Sequence, residues 1–397
     1  MREVNLLQSS LVMDTMRCQK MISQALISIM LLGFALDSLA APFVVSPVAQ
    51  TVSMPGKGDV ADDVCVWINP NDGARSIIIG CNKGDGSSGG LYLFQLDGSR
   101  WGNANRWRKE INWFAAGKKI NNVDLCRGIA AGEEVWDIVA AANRTDRTID
   151  LFRVRVDVQG DFLRLENVGR IPIGRGFASG SDAPYGLAMA LVSRRCMIFA
   201  SDKEGRVAQY ELSHDDAAMA TNQITGRRFD DGGQPWCISN QGEEIEGMVV
   251  DAQREVIYIA CEKEGIFRYR LEDGLLDPKS KVVVDHVGSR LQADVEGLAL
   301  YSRKDGTGYF LASSQGSDTF AVYRREFDTA KANQPMNSFS IGKGKGIDGV
   351  QATDGIETIS ADLGGDFCEG IFIAHDGEGE SNYKLVPWSS IQSMLPR

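Results

Sequence analysis

From residue 42 onward, the apolar positions fall in short runs that either alternate with polar residues or stay apolar throughout, and each run ends in a small or charged turn. Cys196–Leu212, CMIFASDKEGRVAQYEL, is the clearest case. An apolar run climbs to the polar turn Asp202-Lys203-Glu204-Gly205 and a second run descends, which predicts a β-hairpin with charge at its tip. The pattern occurs six times: Ile77–Leu96, Ile138–Val154, Cys196–Leu212, Val256–Leu271, Tyr309–Arg324 and Gly370–Trp388. A short strand opening on an acidic residue or glycine precedes each hairpin. Aligned on Asp63, Asp124, Tyr185, Glu246, Glu296 and Asp354, these openers recur at roughly 50 to 60 residues, the period of a propeller blade rather than a helical solenoid. The pattern predicts an all-β fold, a six-bladed β-propeller of four-stranded antiparallel blades in one domain spanning 41–397. Pro42–Met54, with Val44, Val45, Val48 and Val52, is a candidate strand for closing the ring beside Lys384–Trp388; the alternative is a loose leader.

The first forty residues break the pattern. Arg17 and Lys20 precede an apolar run from Met21 to Ala35, which ends in the small residues Ser38-Leu39-Ala40-Ala41. These are the parts of a secretory signal, and the run is too short to span a membrane as a mature helix. Residues 1–40 are therefore expected to be a signal peptide, with Met16 as an alternative start, and the mature chain to be secreted or periplasmic with no membrane attachment.

Composition narrows the partners. A formal net charge of −11 opposes nucleic acid and anionic membrane surfaces. An anionic small substrate fits only if cations intervene. Cys65, Cys81, Cys126, Cys196, Cys237, Cys261 and Cys368 are scattered singly, with no C-x-x-C pair, and read as buried thiols with at most one or two bridges. Among the three histidines, His214 and His286 read as surface or packing residues, while His375, beside Asp376 near the last tip, is left open. Gly342-Lys343-Gly344-Lys345-Gly346 lacks the Ser/Thr and spacing of a P-loop and reads as a solvated connection. Asn143-Arg144-Thr145 fits a glycosylation sequon, but the same residues form a predicted hairpin tip.

In an antiparallel blade, the start of the first strand and the turn between the second and third lie at the same end. The first strands line the channel, so Asp63, Asp124, Glu246, Asp294, Glu296 and Asp354 are expected around its mouth. So many carboxylates repel one another unless protons or cations offset the charge. Hard oxygen ligands without a local histidine favour Ca2+ over zinc or copper. The tips add Lys83, Arg144 and Lys203. Fixed cations beside metal-held carboxylates suit phosphoryl chemistry, where both stabilise developing negative charge.

With these positions in hand, the chain resembles the β-propeller phytases, calcium-dependent 3-phytases that dephosphorylate myo-inositol hexakisphosphate. The similarity runs from Asp62 to Trp388. It rests on DDVCVWINP at Asp62–Pro70, NNVD at Asn121–Asp124, ANRT at Ala142–Thr145, KEG at Lys203–Gly205, EGM at Glu246–Met248, DVEGL at Asp294–Leu298, YFLASSQG at Tyr309–Gly316, TDGIE at Thr353–Glu357 and GIFIAHDGE at Gly370–Glu378. The resemblance implies that Asp63, Asp124, Glu246, Glu262, Asp294, Glu296, Gln315, Asp348 and Asp354 supply calcium ligands directly or through water. It also implies that Lys83, Arg144, Tyr185, Lys203 and Glu204 hold or flank substrate phosphates, with a calcium-held water as nucleophile. The expected substrate is phytate, as a calcium complex, and the expected state a monomer. An insertion at Gly84–Ser88 departs from the family pattern. The rival readings are a calcium-dependent propeller lactonase, which would need an apolar pocket and a histidine near the metal, and a non-enzymatic binding propeller in which calcium is purely structural.

Overall fold

A computed structural model describes residues 41–84, 86–101, 113–131, 133–156, 163–174, 176–177, 183–213, 224–229, 234–326 and 335–396. The expected signal peptide and His214 lie outside the described residues. Two short strands come first, β1 (Phe43–Val45) and β2 (Ala49–Gln50). Blade one is β3 (Ala61–Trp67), β4 (Ile77–Asn82), β5 (Gly90–Phe94) and β6 (Trp113–Phe114). Blade two is β7 (Ile120–Ala131), β8 (Glu134–Asn143), β9 (Thr148–Val156) and β10 (Leu163–Pro172). Blade three is β11 (Leu187–Val192), β12 (Arg195–Ser201) and β13 (Arg206–Ser213), with β14 (Thr225–Arg228) and β15 (Trp236–Cys237) both on β13. Blade four is β16 (Met248–Asp251), β17 (Val256–Cys261) and β18 (Gly265–Glu272), with β19 (Leu275–Leu276) and β20 (Val282–His286) both on β18. Blade five is β21 (Leu298–Ser302), β22 (Gly308–Ser314), β23 (Thr319–Arg324) and β24 (Asn337–Ile341). Blade six is β25 (Ile356–Ile359), β26 (Ile371–Asp376) and β27 (Asn382–Pro387).

The fourth strand of blade six comes from the start of the domain: Ala49 and Gln50 of β2 pair antiparallel with Leu385 and Lys384 of β27. This is the ring closure expected of Pro42–Met54. A second tie was not expected. β1 adds in parallel to the outer edge of blade five, Phe43 to Phe339 and Val45 to Ile341, so the leading segment covers two blade edges that would otherwise be open. The inner strands pack neighbour on neighbour, β3 on β7, β7 on β11, β11 on β16, β16 on β21, β21 on β25 and β25 back on β3.

Apolar residues on both faces of the middle strands fill the space between blades. Ile198, Ala200 and Tyr210 of blade three meet Ile138, Ala140 and Leu151 of blade two, while Met197 and Phe199 meet Ile257 and Ile259 of blade four. Both faces are buried, which is why these strands read as continuous apolar runs. The glycine that follows the acidic opener has a steric cause. A Cβ at Gly247 would lie 1.7 Å from the Glu296 carbonyl oxygen, and one at Gly297 2.5 Å from that of Asp354, so bare backbone lets consecutive inner strands approach. All seven described cysteines are free thiols. Among the described residues, no helix is long and apolar enough to cross a membrane.

Candidate functional site

Strand register sets which residues share a ring position. Val64 pairs with Gly80, Val123 with Ala141, Leu187 with Ala200, Leu298 with Ala312 and Ile356 with Ala374. Counting two residues back on each inner strand gives Asp62, Asn121, Tyr185, Glu296 and Asp354, with Glu246 the match in blade four, where Gly247 accepts from Ala260 as Gly186 does from Ser201. Counting three residues on from the second-strand partner gives Lys83, Arg144, Lys203, Gln315 and Gly377, with Glu262 in blade four. These two rings meet at one end of the channel.

The register differs from the expected alignment in the first two blades. Bulges between Ala61 and Val64 and between Ile120 and Val123 shift the count, so Asp62 and Asn121, rather than Asp63 and Asp124, stand in the mouth ring. Asp63 and Asp124 sit further along, lining a narrow channel cavity with Asn122, Glu246 and Glu357. Burial pushes Asp63 up to about 8 even though the Val123 N–H donates to it at 3.2 Å. Burial likewise carries Asp124 to about 7 against hydrogen bonds of 2.6 Å from the Met189 and Leu125 N–H groups.

At the mouth, Glu246, Glu262 and Glu296 bring one carboxylate oxygen each within 4.8 Å of one another, and all three are buried. Burial, then the charges of Glu246, Glu262 and Asp354, push the Glu296 carboxyl well above its usual range. Glu262 rises to about 8, through burial and then Glu244, Glu246 and Asp294. Asp62, with no exposed surface, is raised by burial and by Glu246. Glu246 moves the other way: burial raises it, but the surrounding Asp62, Lys83, Tyr185 and Glu296 together outweigh that burial. Both oxygens of Asp62 and Oε2 of Glu296 are buried without a hydrogen bond. Orphaned buried carboxylate oxygens are costly, and hard-cation coordination removes that cost, so the donor set fits a divalent cation held by oxygen.

The cationic tips interleave with this cluster. Lys83 Nζ contacts Asp354, lies 3.0 Å from Asp59 and 3.4 Å from Asp62. Burial works against its charge, but these carboxylates and Glu246 outweigh it and keep the ammonium protonated. Arg144 Nη1 donates to Asn121 Oδ1 at 2.6 Å, and Asn121 Nδ2 donates to Glu246 at 2.8 Å, so one amide couples the second tip to the acidic trio. Lys203 pairs with Glu244. Lys203 Nζ stands 4.2 Å, and the Arg144 guanidinium 5.2 Å, from the Tyr185 ring centroid. Tyr185 thus spaces two cations while its hydroxyl faces Glu262 at 3.5 Å.

The remaining expected residues distribute unevenly. Gln315 Nε2 donates to Asp354 Oδ1 at 2.7 Å, at the mouth. Asp294, half-buried, acts on Glu262 through its charge. Glu204 turns to Arg206 instead, and its side chain is 50% exposed. Asp348 is also exposed and pairs with Lys384 Nζ at 2.8 Å, apart from the acidic trio. Five contributors were not named as site residues: Asp62, Asn121, Glu244, Glu357 and Asp59. The first four lie in or beside recognised motifs, and only the packed strands bring them in. Nothing in the local pattern marks Asp59.

A six-bladed propeller with an oxygen-rich acidic mouth and three cations set among its carboxylates has the groups that hydrolysis of an anionic ester needs. Comparison with known proteins gives the family. Residues 12–396 match the model of the family described as Phytase. A curated 3-phytase of Bacillus subtilis is 30% identical over 364 residues, 89% of this chain and 86% of that one. A solved structure from Bacteroides thetaiotaomicron covers 82% of this chain and 71% of its own at 12% identity, with a TM-score of 0.47, a likeness too slight to argue from. The chain belongs to the Phytase family, enzymes that hydrolyse phosphomonoesters of phytate.

Proposed function

We propose that the enzyme is a calcium-dependent 3-phytase that acts on the calcium complex of phytate, as an exported monomer. The observation that carries this reading is the trio Glu246, Glu262 and Glu296, packed within 4.8 Å with orphaned oxygens beside it and facing Lys83, Arg144 and Lys203. Calcium would be held by that trio with Asp62, Asp294, Gln315 and Asp354, and further along the channel by Asp63, Asp124 and Glu357. Asp348 would join only by releasing Lys384. Bound there, calcium would offset the repulsion between an acidic protein and an acidic substrate and would supply the Lewis acidity that makes a water nucleophilic toward phosphorus.

The chain's own groups do the rest. Lys83, Arg144 and Lys203 bind phosphate oxygens and neutralise the charge that grows on them in the transition state. Tyr185 keeps Arg144 and Lys203 apart on its ring, so the two cations address different oxygens. Asn121 transmits the position of Glu246 to Arg144, and Glu204 restrains the tip through Arg206. The test is inorganic phosphate release from phytate after chelation and after calcium is restored. Activity should vanish and return; activity that survives chelation, or does not return with calcium, refutes the calcium requirement.

A further inference from the structure

One residue position on the second strand bridges adjacent blades. In blade one the Cys81 thiol accepts from the Asp63 N–H at 3.2 Å and donates to the Asn121 carbonyl of blade two at 2.9 Å. In blade three, Ser201 accepts from the Gly186 N–H at 2.8 Å and donates to the Ile245 carbonyl. Ser313 of blade five accepts from the Gly297 N–H at 2.8 Å and reaches the Asp354 carbonyl at 3.4 Å. All three side chains end on backbone. In blade six the same register position, next after the Ile356–Ala374 pair, holds His375.

His375 reaches the inner strand one residue earlier, at Asp354 rather than Gly355, and adds a second contact. Its Nδ1 accepts from the Asp354 N–H at 3.2 Å, which leaves Nε2 as the donor nitrogen of the ring. That nitrogen lies 3.1 Å from Asp59 Oδ1, in contact but without the alignment of a hydrogen bond. The other Asp59 oxygen is 3.0 Å from Lys83 Nζ, and Lys83 also contacts Asp354. A single imidazole therefore touches both residues that grip the first cationic tip. Its own orientation is set by complete burial and by the Tyr383 ring, edge-on at 6.3 Å. Asp59 needs such an anchor, because its side chain is 41% exposed. A serine here would satisfy the backbone but would not reach Asp59.

We propose that His375 is a positioning residue for the phytase reaction: it fixes Asp59 and Asp354 about Lys83 and so directs the ammonium toward a substrate phosphate. The inference rests on the phosphate-binding role proposed for Lys83. The experiment compares phytate kinetics of His375→Leu, His375→Gln, Asp59→Asn, the His375→Leu/Asp59→Asn pair and Lys83→Ala at saturating calcium. His375→Leu should raise KM about tenfold while kcat changes less than about threefold, the signature of a displaced binding group. His375→Gln, whose amide can accept from Asp354 and donate to Asp59, should restore most of the affinity. Adding Asp59→Asn to His375→Leu should cost nothing further, since both break one relay. An unchanged KM in His375→Leu, no rescue by glutamine, or multiplying effects of the two substitutions would overturn the proposal. If His375→Leu does not fold, Asp59→Asn decides: a raised KM supports the relay and an unchanged one overturns it. Lys83→Ala separates the two claims. A silent Lys83→Ala removes the phosphate role of Lys83 itself, whereas a strong Lys83→Ala effect with a silent His375→Leu removes only the inference about His375.

Discussion

Replacing Glu296 with glutamine should make the calcium-free protein more stable and the enzyme inactive. Glu296 is 5% exposed, and its carboxylate shares a 4.8 Å sphere with those of Glu246 and Glu262. Two unit charges at that separation repel by about 3.5 kcal/mol at an effective dielectric constant of about 20. Glutamine has the same shape, needs no proton to be neutral and can donate to either neighbour. At pH 8.5 in chelator the variant should therefore gain about 3 kcal/mol, which at about 2 cal/mol/K per residue is a rise in melting temperature of about 4 °C. At pH 5, where the wild-type carboxyl already carries a proton because burial and its neighbours raise its affinity, the two proteins should melt together. Calcium should reverse the order, raising wild type by linkage at both positions and the variant by less, through the channel position that Glu296 does not line. Phosphate release should fall by about 100-fold or more, a loss of about 2.7 kcal/mol of transition-state stabilisation. Thermal melts at both pH values with and without calcium, with phosphate assays alongside, are the measurement. A variant that melts below wild type in chelator at pH 8.5, or that keeps both the full calcium shift and phosphate release, would refute the electrostatic argument.

Other outcomes follow from the same geometry. Lys203→Ala should lower kcat/KM about 10- to 100-fold with little change in melting temperature, because Lys203 is partly exposed and its loss removes a charged phosphate contact; kinetics equal to wild type would end the role of the third tip. The calcium-free protein should lose stability as pH rises from about 4 toward 8. Asp63 at about 8 and Asp124 at about 7 bind protons in the folded state that the unfolded chain has already released, so the slope is negative. Calcium binding at pH 7 should correspondingly release protons, measured by calorimetry in buffers of different ionisation enthalpy; proton uptake would contradict it. Arg325→Met should cost about 3 kcal/mol, the low end for a broken buried pair, because it removes the guanidinium that grips buried Asp251 at 2.6 and 2.7 Å and leaves only Arg254 beside it, while the folded fraction keeps its phytate kinetics. A chemical-denaturation midpoint unchanged from wild type would show that the pair contributes nothing.

The sequence by itself determined the repeat, the blade count and the chemistry of the mouth. Alternation and continuous burial are local consequences of strand pairing, so they survive in one dimension, as do the glycines that let Glu246 and Glu296 sit beside the next inner strand. Lys83, Arg144 and Lys203 were legible as equivalent tips because turn and flanking strands stay in phase. Only the tertiary structure decided which carboxylates meet. Two bulges, invisible in a hydrophobic pattern, turn Asp62 and Asn121 into the mouth and leave Asp63 and Asp124 further along the channel. Ring closure brings β1 and β2 onto blades five and six and Asp59 to His375, across 316 positions of chain (375 − 59) that no local signal spans. Exposed Asp348 finds Lys384 only in the packed chain, whereas Glu204 pairs with Arg206 two residues on, inside its own turn. A motif specifies residue type at a strand position, whereas a contact depends on bulges and on the closing of the ring, and both are properties of the packed chain.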